Sequence, residues 1–75
     1  MIEYQGWGAV HDMPDGTVKM FGFSMTEEGA TDLATEAVDH VNLSLRYIST
    51  PQRLADAQLL FDTVRIVPVT VWIDA

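Results

Sequence analysis

The sequence contains no cysteine, and its four lysine and arginine residues stand against eleven aspartate and glutamate residues. Without cysteine the chain can form neither a disulfide nor a thiolate metal site. Its two histidines, His11 and His40, are too few for a zinc site unless carboxylates complete it. The sequence therefore predicts no metal centre and no cofactor, and a chain of 75 residues must rely on a small core.

Long apolar runs are also missing, since no stretch approaches the roughly 20 apolar residues that span a bilayer. The first residues, MIEYQGWGAV, lack the basic and apolar regions of a secretory signal. Hydrophobic residues nevertheless make up 48% of the chain, which is enough for a folded domain. We expect one domain over residues 1–75, located in the cytoplasm and not bound to a membrane.

Charge is the most distinctive bulk property, because the formal net charge is −7. Such a surface repels nucleic acid phosphates and anionic membranes, and it attracts basic protein surfaces. We therefore expect no direct nucleic acid binding and consider a basic protein partner. Acidity also keeps small proteins soluble, so the charge alone leaves both interpretations open.

A hairpin is predicted where two segments rich in aromatic and β-branched residues, 4–12 and 17–24, flank the turn MPDG. Pro14 presets φ for a type I turn, and Gly16 accepts the left-handed conformation that follows it. This chemistry is typical of a three-residue hairpin loop with a glycine bulge. A two-residue turn at Asp15 and Gly16 is the alternative and would shift the pairing by one residue. The three-residue loop predicts these pairs: Met13 with Thr17, His11 with Lys19, Ala9 with Phe21, and Trp7 with Phe23.

The adjacent His11 and Asp12 have the residue types of a catalytic pair, but they belong to a predicted strand. Neighbouring strand residues point to opposite faces of a sheet, so the two side chains cannot readily bond to each other. Histidine acts as a base only with an orienting partner. The sequence therefore predicts no catalytic residue here.

Helical spacing replaces strand alternation after residue 25. Thr26 is the predicted N-cap, with Glu27 and Glu28 in the first turn, where the helix dipole favours negative charge. Thr50 and Pro51 are expected to end this helix and begin a second one over PQRLADAQLLFDTV. The apolar stripe of the first helix is Ala30, Leu33, Ala34, Ala37, Val38, Val41, Leu45 and Ile48. The second helix is expected to bury Leu54, Ala57 and Phe61, with Leu59 and Leu60 widening its apolar surface.

The C-terminal segment, VRIVPVTVWIDA, predicts a third strand over residues 64–73. Pro68 cannot donate to a ladder, so that part of the strand must lie at an edge or a bulge. The order is then ββααβ, an α+β fold in which a three-stranded, mainly antiparallel sheet carries two helices packed on one face. Apolar residues point to both sides of this strand, so helices that cover one face of the sheet would leave an apolar surface exposed on the other face. Burial in a homodimer or against another partner would cover that face, and we expect a dimer interface at Val67, Val69, Val71 and Ile73.

A second candidate surface lies on the first helix, on the side opposite its apolar stripe. The four acidic residues there recur at helical spacing, which is typical either of a solvated face or of a surface that recognises a basic groove. Exposed leucine and tyrosine next to such charges suit a protein contact. Cover by the second helix or by a neighbouring subunit is the alternative. The predicted protein-binding residues are Glu28, Asp32, Glu36, Asp39, His40, Leu43 and Tyr47.

The aromatic hairpin around PDGT, the helix opening TEEGATDLATEA and the closing strand RIVPVTVWID together resemble small accessory proteins encoded by bacteriophages of high-GC bacteria. The resemblance implies an accessory or inhibitor protein that binds a host protein, and it carries over no functional residue. The sequence thus favours a non-enzymatic, homodimeric protein-binding module. The alternatives are a small enzyme or ligand-binding subunit with a site between protomers, using His11, His40 and nearby carboxylates, and a purely structural assembly protein.

Overall fold

A computed structural model describes residues 1–47 and 50–74. The elements are β1 (Ile2–Asp12), β2 (Val18–Ser24), α1 (Glu27–Ser44), α2 (Pro51–Thr63) and β3 (Arg65–Ile73). The strands form one antiparallel sheet in the order β2-β1-β3, with α1 against all three strands and α2 against β1 and α1. The predicted α+β fold with the order ββααβ is confirmed.

The hairpin between β1 and β2 has the predicted three-residue loop. The Met13 amide donates to the Thr17 carbonyl at 2.7 Å, and Gly16 has a φ of 87°, in the left-handed region that glycine adopts without strain. Asp15 closes the loop, because its carboxylate accepts hydrogen bonds from both the amide and the hydroxyl of Thr17. His11 lies opposite Lys19, as the loop predicts.

Further along the hairpin the predicted register is wrong by one residue. The pairing shifts between Ala9 and Val10, so Ala9 faces Gly22 and not Phe21, and Trp7 faces Ser24 and not Phe23. A β-bulge of this kind adds one residue to one strand. The physical reason is the close approach of α1, since a Cβ on Gly22 would lie 3.2 Å from the Leu33 side chain. A phenylalanine could not occupy that position.

Each helix begins at its predicted cap. The Thr26 hydroxyl accepts from the Gly29 amide at 3.0 Å, and the Thr50 hydroxyl accepts from the Arg53 amide at 3.2 Å. These bonds satisfy amide groups that have no partner within the first turn of a helix. The predicted end of α1 at Thr50 is wrong, because the helix ends at Ser44 and residues 45–47 form a turn. In the stripe of α1 the most deeply buried residues are Ala30 and Ala34, whereas Leu33 is partly exposed and Ile48 lies outside the described residues.

The buried face of α2 differs from the prediction. Ala57 and Leu60 are buried, Phe61 is half-buried, and Leu54 is 48% exposed, so the prediction that Leu54 is buried is wrong. Leu54 lies near the N-terminus of α2, at the opposite end of the helix from its connection to β3. The helix is anchored at its other end, where the Thr63 hydroxyl accepts from the Asp12 amide at 2.9 Å.

The sheet has one face against the helices and one open face. Gly22 lies beneath Leu33 of α1, so the row formed by Gly22, Ala9 and Ile66 faces the helices. Because side chains alternate along a strand, the next row, with Gly8 and Val67, points the other way. The predicted phases of β3 are therefore confirmed.

Candidate interaction surfaces

The acidic face of α1 is exposed at every predicted position. The helix has 18 residues with five carboxylates, and it contains no lysine or arginine. Within residues 1–47 and 50–74 the ion pair that forms is Arg65 with Asp12, away from α1. The negative field of this helix is therefore not neutralised by salt bridges from the described residues. The carboxylates are Glu27, Glu28, Asp32, Glu36 and Asp39.

The apolar residues beside the acidic face are not covered by α2. Leu43 is 51% exposed and Tyr47 is 81% exposed. Tyr47 lies in the turn that follows α1, where its amide donates to the Ser44 carbonyl at 3.1 Å. The second helix therefore does not cover this pair, and within the protomer both side chains are accessible to a partner or to a neighbouring subunit.

His40 and His11 lie in the same cleft, between α1, α2 and the sheet. The cleft has a volume of about 360 Å³, and its floor includes the buried side chains of Ala57 and Leu60. The polar residues of its lining are His11, His40, Ser44, Arg53 and Asp56. These groups come together within a single protomer, whereas the sequence alternative placed them between two.

Two polar groups of this cleft have partners within the chain. The Nδ1 atom of His11 lies 3.0 Å from the backbone carbonyl of Asp12, and its ring packs against Phe21 with 5.5 Å between ring centroids. The Asp56 carboxylate accepts a hydrogen bond from the side-chain amide of Gln52. Among the described residues no group of three histidine or acidic side chains is placed to hold a metal ion.

The open face of the sheet brings the predicted dimer residues together. Val67, Val69 and Val71 are half-buried, and Ile73 is 49% exposed. Across β1 they pair with Gly8, Gly6, Tyr4 and Ile2 respectively, so the rows share one face.

Two side chains of β2 lie across the glycines of this face. A Cβ on Gly8 would lie 2.8 Å from the Met20 sulfur, and one on Gly6 would lie 2.7 Å from the Phe23 ring. Sequence reasoning placed Phe23 on the opposite face, because the bulge was not predicted. The available signal was the pair of glycines inside a strand, which often marks the close approach of another group.

Comparisons of the chain with protein-family models, with curated proteins and with solved structures return no match. None of the helices described has the length and apolar character needed to cross a bilayer. The candidate surfaces therefore rest on their own geometry and charge.

Proposed function

We propose that the protein is a non-enzymatic binding module that attaches to a basic protein surface through the acidic face of α1. The observation that carries this proposal is the exposed row of carboxylates with no neutralising partner among the described residues. Complementary charge of this kind steers association and selects partners. Leu43 and Tyr47, both largely exposed at the end of the row, add apolar contact area of the sort found in protein interfaces.

The spacing of the charges indicates what the surface can imitate. From Glu28 to Asp39 four carboxylates rise along the helix at intervals of about 5.5 Å, since each residue adds 1.5 Å. One strand of B-DNA carries a phosphate about every 3.4 Å along the axis. The row is therefore a sparser line of charge than a single strand, and much sparser than a duplex. It suits a narrow basic groove on a protein better than a deep duplex-binding channel.

An accessory protein that occupies a nucleic acid-binding groove of a host protein is one form of this function. The acidic row would compete for the groove with nucleic acid, and the protein itself would not bind nucleic acid because its net charge is −7. The resemblance to bacteriophage accessory proteins motivates this form, and the acidic geometry supports it independently.

Two double variants with the same net charge test the proposal. Asp32→Asn with Glu36→Gln removes two charges from the row, and Glu3→Gln with Asp74→Asn removes two exposed charges elsewhere, so each variant has a net charge of −5 in place of −7. Tagged proteins are used to capture partners from a host lysate at several salt concentrations, and the captured protein is then purified for titration. We expect the first variant to lose affinity about tenfold and the second less than threefold.

The two controls separate position from bulk charge. Equal loss in both variants would mean that net charge alone causes the capture, and no loss in either would remove the acidic row from the interface. A third variant, Tyr47→Ala, should weaken binding without changing the salt dependence, because Tyr47 contributes apolar contact and no charge.

A second candidate function is favoured by the cleft between the helices. Arg53 and His40 supply donors for an anion, and Ala57 and Leu60 supply an apolar floor, so the cleft suits a small carboxylate with an apolar tail. Titration with hexanoate, followed by NMR of the histidine ring protons, should show saturable shifts that Arg53→Gln weakens. Arg46→Gln is the control, since Arg46 does not line the cleft. Shifts that are absent, or unaffected by Arg53→Gln, would reject the candidate.

A further inference from the structure

We propose that the open face of the sheet is the surface on which two copies of this chain associate. The face is defined by Ile2, Tyr4, Gly6, Gly8 and Val10 of β1, by Val18, Met20 and Phe23 of β2, and by Val67, Val69, Val71 and Ile73 of β3. The proposal does not depend on the acidic face of α1, which lies on the other side of the sheet.

The face is apolar and is accessible at both ends and along β2, whereas Gly8 and Val10 of the central strand are buried. Val18 is 55% exposed at one end and Ile73 is 49% exposed at the other, and Met20 and Tyr4 are also exposed between them. Monomeric proteins rarely leave a contiguous apolar patch of more than a few hundred Å² in water. The helices cannot cover it, because they occupy the opposite face.

Charge identifies the occupant as a second copy. The strand positions of the open face carry a single pair of ionised side chains, Asp12 and Arg65, and these neutralise each other at 3.1 Å. A basic or acidic partner would find no complementary charge on this face. A second copy presents the same neutral, apolar surface, so the two match without leaving a charge unpaired.

Face-to-face packing also keeps the acidic helices apart. Packed sheets lie about 10 Å apart, and each helix layer adds about 10 Å, so the α1 helices of the two copies would be about 30 Å apart. The Debye length at physiological ionic strength is about 8 Å, so their repulsion is largely screened at that distance. Association through the helix faces would instead bring the two acidic rows into direct contact.

The size of the face predicts a weak dimer. The nine residues of β3 span about 27 Å and three strands span about 14 Å, so the outline is at most on the order of 400 Å². A standard interface buries about 800 Å² per partner. Side chains that stand up from the sheet raise the buried area above the outline, but we still expect dissociation in the micromolar range.

Sedimentation velocity over a concentration series, at two salt concentrations, tests the proposal. Wild type should convert from monomer to dimer as the protein concentration rises, and added salt should not weaken the dimer. Val18→Lys and Ile73→Lys place a charge on the most exposed positions of the face, where folding is least affected, and each should raise the dissociation constant at least about tenfold. Thr70→Lys is the matched control: it adds the same charge to β3 on the other phase and should change the constant less than threefold.

The circular dichroism spectra of wild type and the three lysine variants must agree, which ensures that the lysines act on association and not on folding. A wild type that stays monomeric up to millimolar concentration would overturn the proposal and leave the face to a different partner. So would a dimer that Thr70→Lys weakens as much as Val18→Lys and Ile73→Lys do. Asp32→Asn with Glu36→Gln should leave the dimer intact, so failure of the partner-binding proposal and failure of this one are distinguishable.

Discussion

The substitutions Leu60→Ala and Leu54→Ala make the same chemical change at two places on α2 with opposite environments. Leu60 is 8% exposed and Leu54 is 48% exposed. Alanine is at least as good a helix former as leucine, so helix propensity does not weaken either variant. Any difference between them therefore reports on tertiary packing.

The expected magnitudes differ clearly. Removing a buried leucine side chain costs about 2–5 kcal/mol, because lost burial and the cavity left behind add together. A chain of 75 residues has a total stability of about 4–11 kcal/mol, so Leu60→Ala removes a large part of it. Leu54 loses only part of its contact with water on folding, and its removal leaves no closed cavity. We expect it to cost less than about 1 kcal/mol.

Urea unfolding followed by circular dichroism measures both free energies. The three proteins are compared at one protein concentration, because self-association would make the apparent stability concentration-dependent. If Leu60→Ala is partly unfolded in buffer, trimethylamine N-oxide shifts the transition into the measurable range. Equal losses for the two variants, or a larger loss for Leu54→Ala, would refute the described packing of α2.

Three further predictions concern the hairpin. Gly6→Ala should destabilise the fold by about 1–3 kcal/mol in urea unfolding, since its Cβ would lie 2.5 Å from the Ser24 carbonyl oxygen; a loss below 0.5 kcal/mol would contradict that close approach. Gly16→Ala should cost about 1–2 kcal/mol because φ there is 87°, and Gly16→Asn should cost less; equal costs would argue against the left-handed turn. The hydroxyl and then the amide of Thr17 lower the pKa of Asp15 from its ordinary value of 3.8. The ionised carboxylate therefore stabilises the turn at pH values above 3.8, and this stabilisation is lost as the pH falls below that value. The difference in melting temperature between wild type and Asp15→Ala should be constant above pH 5 and should shrink in acid.

The features that the sequence predicted correctly are governed by neighbouring residues. A threonine cap is satisfied by an amide three residues away, as at Thr26 and Thr50. The loop conformation at Gly16 depends on its own φ and on the proline two residues earlier. Such features are determined within one turn of the chain, so the starts of the two helices follow from local chemistry, whereas the end of α1 at Ser44 was not predicted.

Two of the wrong predictions, the hairpin register and the buried face of α2, involve contacts between distant segments. The bulge in β2 arises because Leu33, eleven residues further along, occupies the space beside Gly22. Which side of α2 is buried depends on how the helix packs against the sheet and α1. The spacing of apolar residues within α2 does not specify that packing. Leu54 and Leu60 are chemically identical in the sequence, and their burial differs because of what surrounds them.

The features of the candidate surfaces likewise divide into those that the sequence determined and those that tertiary structure decided. The row of carboxylates on α1 and the apolar phase of β3 follow from helical and strand periodicity, so the sequence alone determined both. The meeting of His11, His40 and Arg53 in one cleft, and the placement of Met20 and Phe23 over Gly8 and Gly6, were decided by tertiary structure. Periodicity places a side chain on a face of its own element, whereas the angle and distance between elements depend on packing, in which every side chain at the contact takes part.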